Sequence, residues 1–442
     1  MTLSREFRPM LRLAAPLALA ELAWVAMGFV DTIMAGRLSP AAIGAGSLGN
    51  MLFFPVAVAA TGMLLGMDTV VAQAFGAKDL AECRHALIDG LWMAFAITPV
   101  AAAVLWALLP AVRAAGANPV VVALLGPYVK ALLPGIPPLL CFAAFRRYLQ
   151  AMNIAGPVTF AAISANLINF VGDWVLMFGH WGAPKMGLAG SAWSTTLARF
   201  YIAAVLFGAV VWNERKCGRR GLTFRAPDLR RIRTLFRLGL PAALQIVVEG
   251  GIFGVATVLA AKLDEASLAA HSIAMNVVTI TYMVPLGISS AAAVRVGQAV
   301  GRNDRGGVTV SGWTALALAA MCMGTAGLTL SIVPRAIVRL YTPDAAVIVM
   351  GAALLRVAAL FQLFDGFQVV AMGALRGLGD TRTPMLAHLA GYWFIGLPVS
   401  YALCFGYGWG ALGIWAGLCV ALILIGGSLV VVWERRAGRP IR

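Results

Sequence analysis

The chain has 442 residues, 61% of them hydrophobic and only 12% charged, with a formal net charge of +16. Soluble domains run at roughly 45–50% apolar and about 25% charged, so a water-soluble fold is excluded and lipid must be the solvent. The positive charge sits in short stretches between apolar runs, which argues against a nucleic-acid surface and for loops that set membrane orientation.

The first apolar run, 13–34, is long and carries Glu21 and Asp31, so it does not resemble a cleaved signal. Runs of roughly 20 residues, the length that crosses a bilayer, continue at 48–72, 87–110, 121–145, 157–179 and 187–211. A basic stretch follows, and then a second set at 237–261, 273–294, 311–333, 346–373, 384–407 and 410–433. The expected fold is an all-α integral membrane protein of twelve transmembrane helices in two six-helix bundles. The expected divisions are 1–211 for the N-terminal bundle, 212–233 for a cytoplasmic basic linker that can rest on anionic headgroups, and 234–442 for the C-terminal bundle.

The two sets repeat at an offset of 225 residues. Arg12-Leu13 and Pro16 recur as Arg237-Leu238 and Pro241, Arg37-Leu38 as Lys262-Leu263, and Gln73-Ala74 with Gly76 as Gln298-Ala299 with Gly301. An even number of spans per repeat makes both copies enter the membrane in the same direction. Their relation is therefore a pseudo-two-fold along the membrane normal, the parallel-repeat arrangement of many transporters. Pro16, Pro55, Pro241 and Pro285 fall inside otherwise good helices, where a proline frees a carbonyl and bends the helix. Placing both termini inside assigns 25 basic residues to the cytoplasmic side and 7 to the other, which settles the expected orientation.

Four acids lie within spans: Asp31, Asp173, Glu249 and Asp365, with Glu21 a fifth candidate. A charge near the bilayer centre costs about 2.5–3.5 kcal/mol on insertion scales, so such residues face an interior cavity and serve function. Asn169 and Asp173 share a helical face, and Asn166 extends it. Gln245 precedes Glu249 by one turn, and Gly250-Gly251 follows it, where backbone can approach closely. Asp365 lies between Gln362 and Gln368. Carboxylates with amide oxygens suit a hard cation such as Na+, and buried carboxylates equally suit a proton. The residues leave both open. The acids are not repeat mates, since Asp31 aligns with Ala256 and Glu249 with Trp24.

Other motifs carry little. Gly44-Ala-Gly46-Ser-Leu-Gly49 follows no strand, and Asp380 of Gly377-Leu-Gly379-Asp380 fits a loop or helix start. His85, His180, His271 and His388 are isolated, and the scattered cysteines (Cys83, Cys141, Cys217, Cys322, Cys404, Cys419) read as packing residues.

Three strings carry a family resemblance. They are Gly28-Phe-Val-Asp-Thr-Ile-Met-Ala-Gly36, Val248-Glu-Gly-Gly-Ile-Phe253 and Asp365-Gly-Phe-Gln-Val-Val-Ala-Met-Gly-Ala-Leu-Arg-Gly377. In these the chain resembles the multidrug and toxic compound extrusion (MATE) family, NorM-type branch. The resemblance implies two bundles forming a V around a central cavity, and export of cationic drugs in exchange for Na+ or H+. It implies cation or proton coupling at Glu249 and Asp365, possible Na+ ligands, and a first-half site of Asp31, Asn169, Asp173 and Thr195. Where members carry a Tyr one turn before each of two site acids, this chain has Met27 and Phe361, which removes a hydroxyl ligand and leaves room for proton coupling.

The expected function is a secondary active antiporter of the inner membrane, both termini cytoplasmic, that exports amphipathic organic cations. Gln245, Met275, Phe361 and Gln362 are the candidates for contacting substrate. No cofactor beyond the coupling ion and no nucleic acid is expected. A complete repeat pair needs no second chain, so a monomer is expected. The alternative is a flippase for a lipid-linked oligosaccharide, whose cavity would carry Arg for pyrophosphate. A membrane enzyme is disfavoured by the duplication and by the lack of a paired catalytic motif.

Overall fold

The computed structural model describes residues 3–114, 119–216 and 225–438. Among them are twelve helices long and apolar enough to span a membrane, and no strand. In chain order these are α1 Arg5–Gly36, α2 Ala41–Gly76, α3 Leu80–Pro110, α4 Pro119–Ala151, α5 Gly156–Phe178 and α6 Leu188–Lys216. Then come α7 Leu229–Ala260, α8 Glu265–Gly301, α9 Arg305–Ile332, α10 Ala345–Gly377, α11 Arg382–Gly406 and α12 Ala411–Ala437. Every expected run is present, extended at half of its ends by a turn or more of helix. The four interior prolines lie inside helices, as expected.

The chain packs as two compact units whose membership departs from the expected division at 212–233. Residues 19–243 form one, the N unit; residues up to Ala18 together with 244 onward form the other, the C unit. α1 and α7 are continuous helices, so each begins in one unit and continues in the other. The boundaries, Ala18 and Ala243, are themselves repeat mates. Of the expected linker, Trp212–Lys216 is helical, 217–224, with Cys217, lie outside the described residues, and Leu229–Arg233 opens α7.

The repeat explains how each stem is received. In the C unit a Cβ on Gly287 would stand 2.5 Å from the Ala18 nitrogen; in the N unit one on its mate Gly62 would stand 2.9 Å from the Ala243 Cα. Only a glycine permits such helix contacts, the small-residue crossing typical of membrane interiors. The turns correspond too. Ser39 and Asp264 accept the backbone N–H three residues on, at 3.1 and 2.8 Å. Asp79 and Asp304 do the same at 2.9 and 2.8 Å, each preceded by a left-handed residue, Lys78 or Asn303. The duplication thus runs beyond the 12–76 stretch visible by residue identity.

The stems end in partly buried ion pairs at another mated position with the charge reversed. Glu6 accepts two bonds from Arg295, at 2.6 and 2.7 Å, and one from Ser311 at 3.0 Å, within the C unit. Its mate Arg231 donates to Glu82 at 2.7 and 2.8 Å and to Asp89 at 2.7 Å, within the N unit. Bidentate guanidinium–carboxylate pairs are the geometry that best offsets desolvation. Removing one member leaves the other buried and unpaired, which costs about 3–5 kcal/mol. Glu6→Ala is therefore expected to lower the melting temperature of the detergent-solubilised protein by several degrees. The exchanged pair Glu6→Arg with Arg295→Glu is expected to recover part of the loss, and an unchanged melt in Glu6→Ala would contradict the anchoring role.

Candidate functional site

Each unit holds one cluster of acids inside its spans. In the C unit, Glu249 of α7 and Asp365 of α10 are 7% and 4% exposed. The Gln368 amide joins them, donating to Glu249 Oε1 and to Asp365 Oδ1 at 3.2 Å each. Gln245, one turn before Glu249, donates to its Oε2 at 2.9 Å. The hydroxyl expected to be lost is supplied from other helices. Tyr282 of α8 reaches Glu249 Oε1 at 3.4 Å, and Tyr392 of α11 meets the Gln368 amide at 3.0 Å.

His388, expected to be isolated, belongs to this cluster. Its Nδ1 faces the Pro384 carbonyl at 2.8 Å and its Nε2 stands 3.8 Å from Glu249 Oε2. A π-helical stretch, Leu389–Gly396, follows directly and carries Tyr392; widened turns of this kind recur at functional sites. Trp393, in the same stretch, donates to the Val248 carbonyl at 3.0 Å, and its ring would lie 3.1 Å from a Cβ on Gly251. The close approach expected at Gly250-Gly251 is thus real at the second glycine; at the first, nothing lies within 4 Å.

Of the candidate substrate contacts, Gln245 is engaged with Glu249. Phe361 is 2% exposed and stacks on Trp415, and Gln362 is fully buried and donates to Thr281 at 2.8 Å. In this structure Phe361 and Gln362 are interior packing residues of the C unit. Met275 is only partly buried.

In the N unit, Asp31 and Asp173 meet side chain to side chain, with Asn169 beside Asp31. Thr195 donates to Asp31 Oδ2 at 3.4 Å. Ser194 donates to the Asn169 carbonyl at 2.6 Å and so fastens α6 to α5. Asn166 instead donates to the Ala23 carbonyl at 2.9 Å, a bond to the α1 backbone. All four expected first-half residues converge. Glu21 does not join them, because it is ion-paired with Arg146.

Arginine pairing separates the two kinds of buried acid. Glu6, Glu21, Asp68, Asp89 and Glu214 each have an arginine within ion-pair distance. Among the described residues, Asp31, Asp173, Glu249 and Asp365 have no Lys or Arg that close. Asp380 takes the helix-start role expected of it, accepting the Thr383 N–H at 3.1 Å.

The family model MatE matches residues 16–175 and again 241–402, two segments that begin on the repeat mates Pro16 and Pro241. The chain belongs to the MatE family. It is a transporter and not an enzyme. It is 36% identical to the probable multidrug resistance protein NorM of Mesorhizobium japonicum, over 98% of this chain and 94% of that protein. The multidrug resistance protein PmpM of Pseudomonas aeruginosa is also 36% identical, over 99% of this chain and 93% of its own length. The fold is similar to that of the eukaryotic MATE transporter AtDTX14, with a TM-score of 0.87 at 19% identity and 98% of each chain covered.

The packing of Trp393 against α7 has a matched control in the adjacent glycine. Gly251→Val forces the indole away at an overpacking cost of about 1–3 kcal/mol and is expected to lower the melting temperature well below that of Gly250→Val. Equal melts for the two variants would contradict the packing described.

Proposed function

We propose that this MatE chain is a secondary active antiporter of the inner membrane, with both termini cytoplasmic, that exports amphipathic organic cations in exchange for Na+ or H+. The observation that carries the reading is the unpaired state of the span acids. Four buried acids and the partly buried Glu21 have an arginine beside them and are electrically complete. Glu249 and Asp365 have amide and hydroxyl neighbours but no fixed cation within ion-pair distance among the described residues. Two carboxylates in low dielectric need positive charge. A mobile monovalent ion supplies it in one state and leaves in the other.

In the proposed cycle the outward-facing form loads Na+ or H+ at these acids and releases the drug outside. The inward-facing form loses the ion to the cytoplasm and takes up substrate. Each net inward charge contributes about 2.3 kcal/mol per 100 mV. The relatives' names, multidrug resistance proteins, support drug export, and so does the acidic character of the spans, which favours cationic substrates. Met275, partly exposed, is the candidate best placed to touch an apolar substrate. The chain acts as a monomer in this reading.

Glu249→Gln and Asp365→Asn are each expected to abolish ethidium resistance in cells while membrane expression persists. Near-normal resistance in both single variants would overturn the site. Loss in Asp31→Asn alone would move coupling to the N unit.

A further inference from the structure

Arg5, Arg8 and Arg12 of α1 and their repeat mates Arg230, Arg233 and Arg237 of α7 are all exposed. None of the six guanidinium groups has a hydrogen bond or ion pair among the described residues. The spacing, three residues and then four, puts each triad on one helical face over about 10 Å. Exposed apolar residues stand beside them, again as mates. Leu11 and Phe236 are 43% and 46% exposed, each three residues after an arginine of the triad. Ala15 and Leu240, three residues after the last arginine, are exposed as well.

Length sets the depth of these residues. α1 and α7 have 32 residues each, about 48 Å of helix at about 1.5 Å per residue, against a hydrocarbon core of about 30 Å. Counted from the far ends at Gly36 and Ala260, the core is crossed before the arginines are reached. The triads therefore stand at and beyond headgroup depth, with Ala15 and Leu240 at the edge of the acyl layer.

The inward face of the same stems supplies the contrast. There one mated position holds Glu6 in one copy and Arg231 in the other, each paired within its own unit. A partner made of protein can change together with the stem, so the sign reverses. On the outward face all three mated positions are arginine in both copies, which suits a partner whose negative charge is fixed. Membrane orientation needs only basic residues near the span ends, and it asks for no alignment on one face. A phospholipid has the matching order of chemistry, a phosphate that guanidinium groups bind bidentately and then hydrocarbon.

We propose that the stems of α1 and α7 are duplicated docking surfaces for anionic phospholipid, one on each unit. The arginine triad holds the phosphate, and the exposed apolar residues lie along the upper acyl chain. In the orientation proposed above the leaflet is the cytoplasmic one. The surfaces belong to the stems and not to the loop between the halves.

Native mass spectrometry of the purified full-length protein in detergent, titrated with phosphatidylglycerol or phosphatidylcholine, tests this. Wild type is expected to bind phosphatidylglycerol in preference to phosphatidylcholine. Neutralising either triad to glutamine (Arg5, Arg8 and Arg12, or Arg230, Arg233 and Arg237) is expected to remove part of that binding. Neutralising both is expected to abolish the preference. A charge-matched control, Arg302→Gln with Arg305→Gln and Arg435→Gln, removes three other exposed arginines and is expected to bind as wild type does. Where a triple variant does not fold, Arg12→Gln and Arg237→Gln are read singly, each with binding about fivefold weaker. Wild-type binding in the folded stem variants would overturn the proposal, as would an equal loss in the control or no preference in wild type. The readout involves no transport, so a chain that binds the lipid as expected and fails to export ethidium contradicts the antiport reading alone.

Discussion

Charge inside the bilayer is the constraint on which the structure depends. An ionised side chain in the apolar spans costs several kcal/mol unless a partner meets it, so each buried charge must be explained by what faces it. Glu6, Glu21, Asp68, Asp89 and Glu214 are met by arginines. Asp31, Asp173, Glu249 and Asp365 are met by amides, hydroxyls and, for Glu249, an imidazole. The first group holds helices in place. The second group has charge left to bind something that moves.

The duplicated frame carries both groups. Mated positions recur in the caps Ser39 and Asp264, in the left-handed Lys78 and Asn303, and in the glycines Gly62 and Gly287 that receive the opposite stems. At Glu6 and Arg231 the frame keeps the position and reverses the sign. A buried bidentate pair serves equally well with either residue on the stem, so the duplication preserves the anchor without preserving the amino acid. The acidic sites follow no such correspondence, since Asp31 and Glu249 are not mates. The scaffold is shared and the sites are particular to each half.

The sequence carried the fold further than the sites. Apolar length set the twelve spans, and the rarity of charge within them marked the four acids, because each of these signals lies within one helix. Tyr282, Tyr392 and His388 reach Glu249 or Gln368 from other helices, and no spacing along the chain reports that approach. The resemblance placed a missing hydroxyl at Phe361, whereas the structure provides hydroxyls from α8 and α11. The exchange of stems at Ala18 and Ala243 was hidden for a similar reason. Glu6 and Arg231 lie at span ends, where charges ordinarily meet water, and only tertiary packing reveals them as buried partners. Phe361 and Gln362 stand among the candidate substrate contacts, but the helix turns them toward Trp415 and Thr281.

The central claim is that acids without a fixed cation couple an ion gradient to export. Ethidium efflux from proteoliposomes holding the purified chain, driven by a sodium gradient alone or by a pH gradient alone, tests it most directly. Efflux under one of the two gradients is the expected result: sodium would assign oxygen ligation at Glu249 and Asp365, and pH alone would make them proton carriers. No efflux under either gradient would contradict the account.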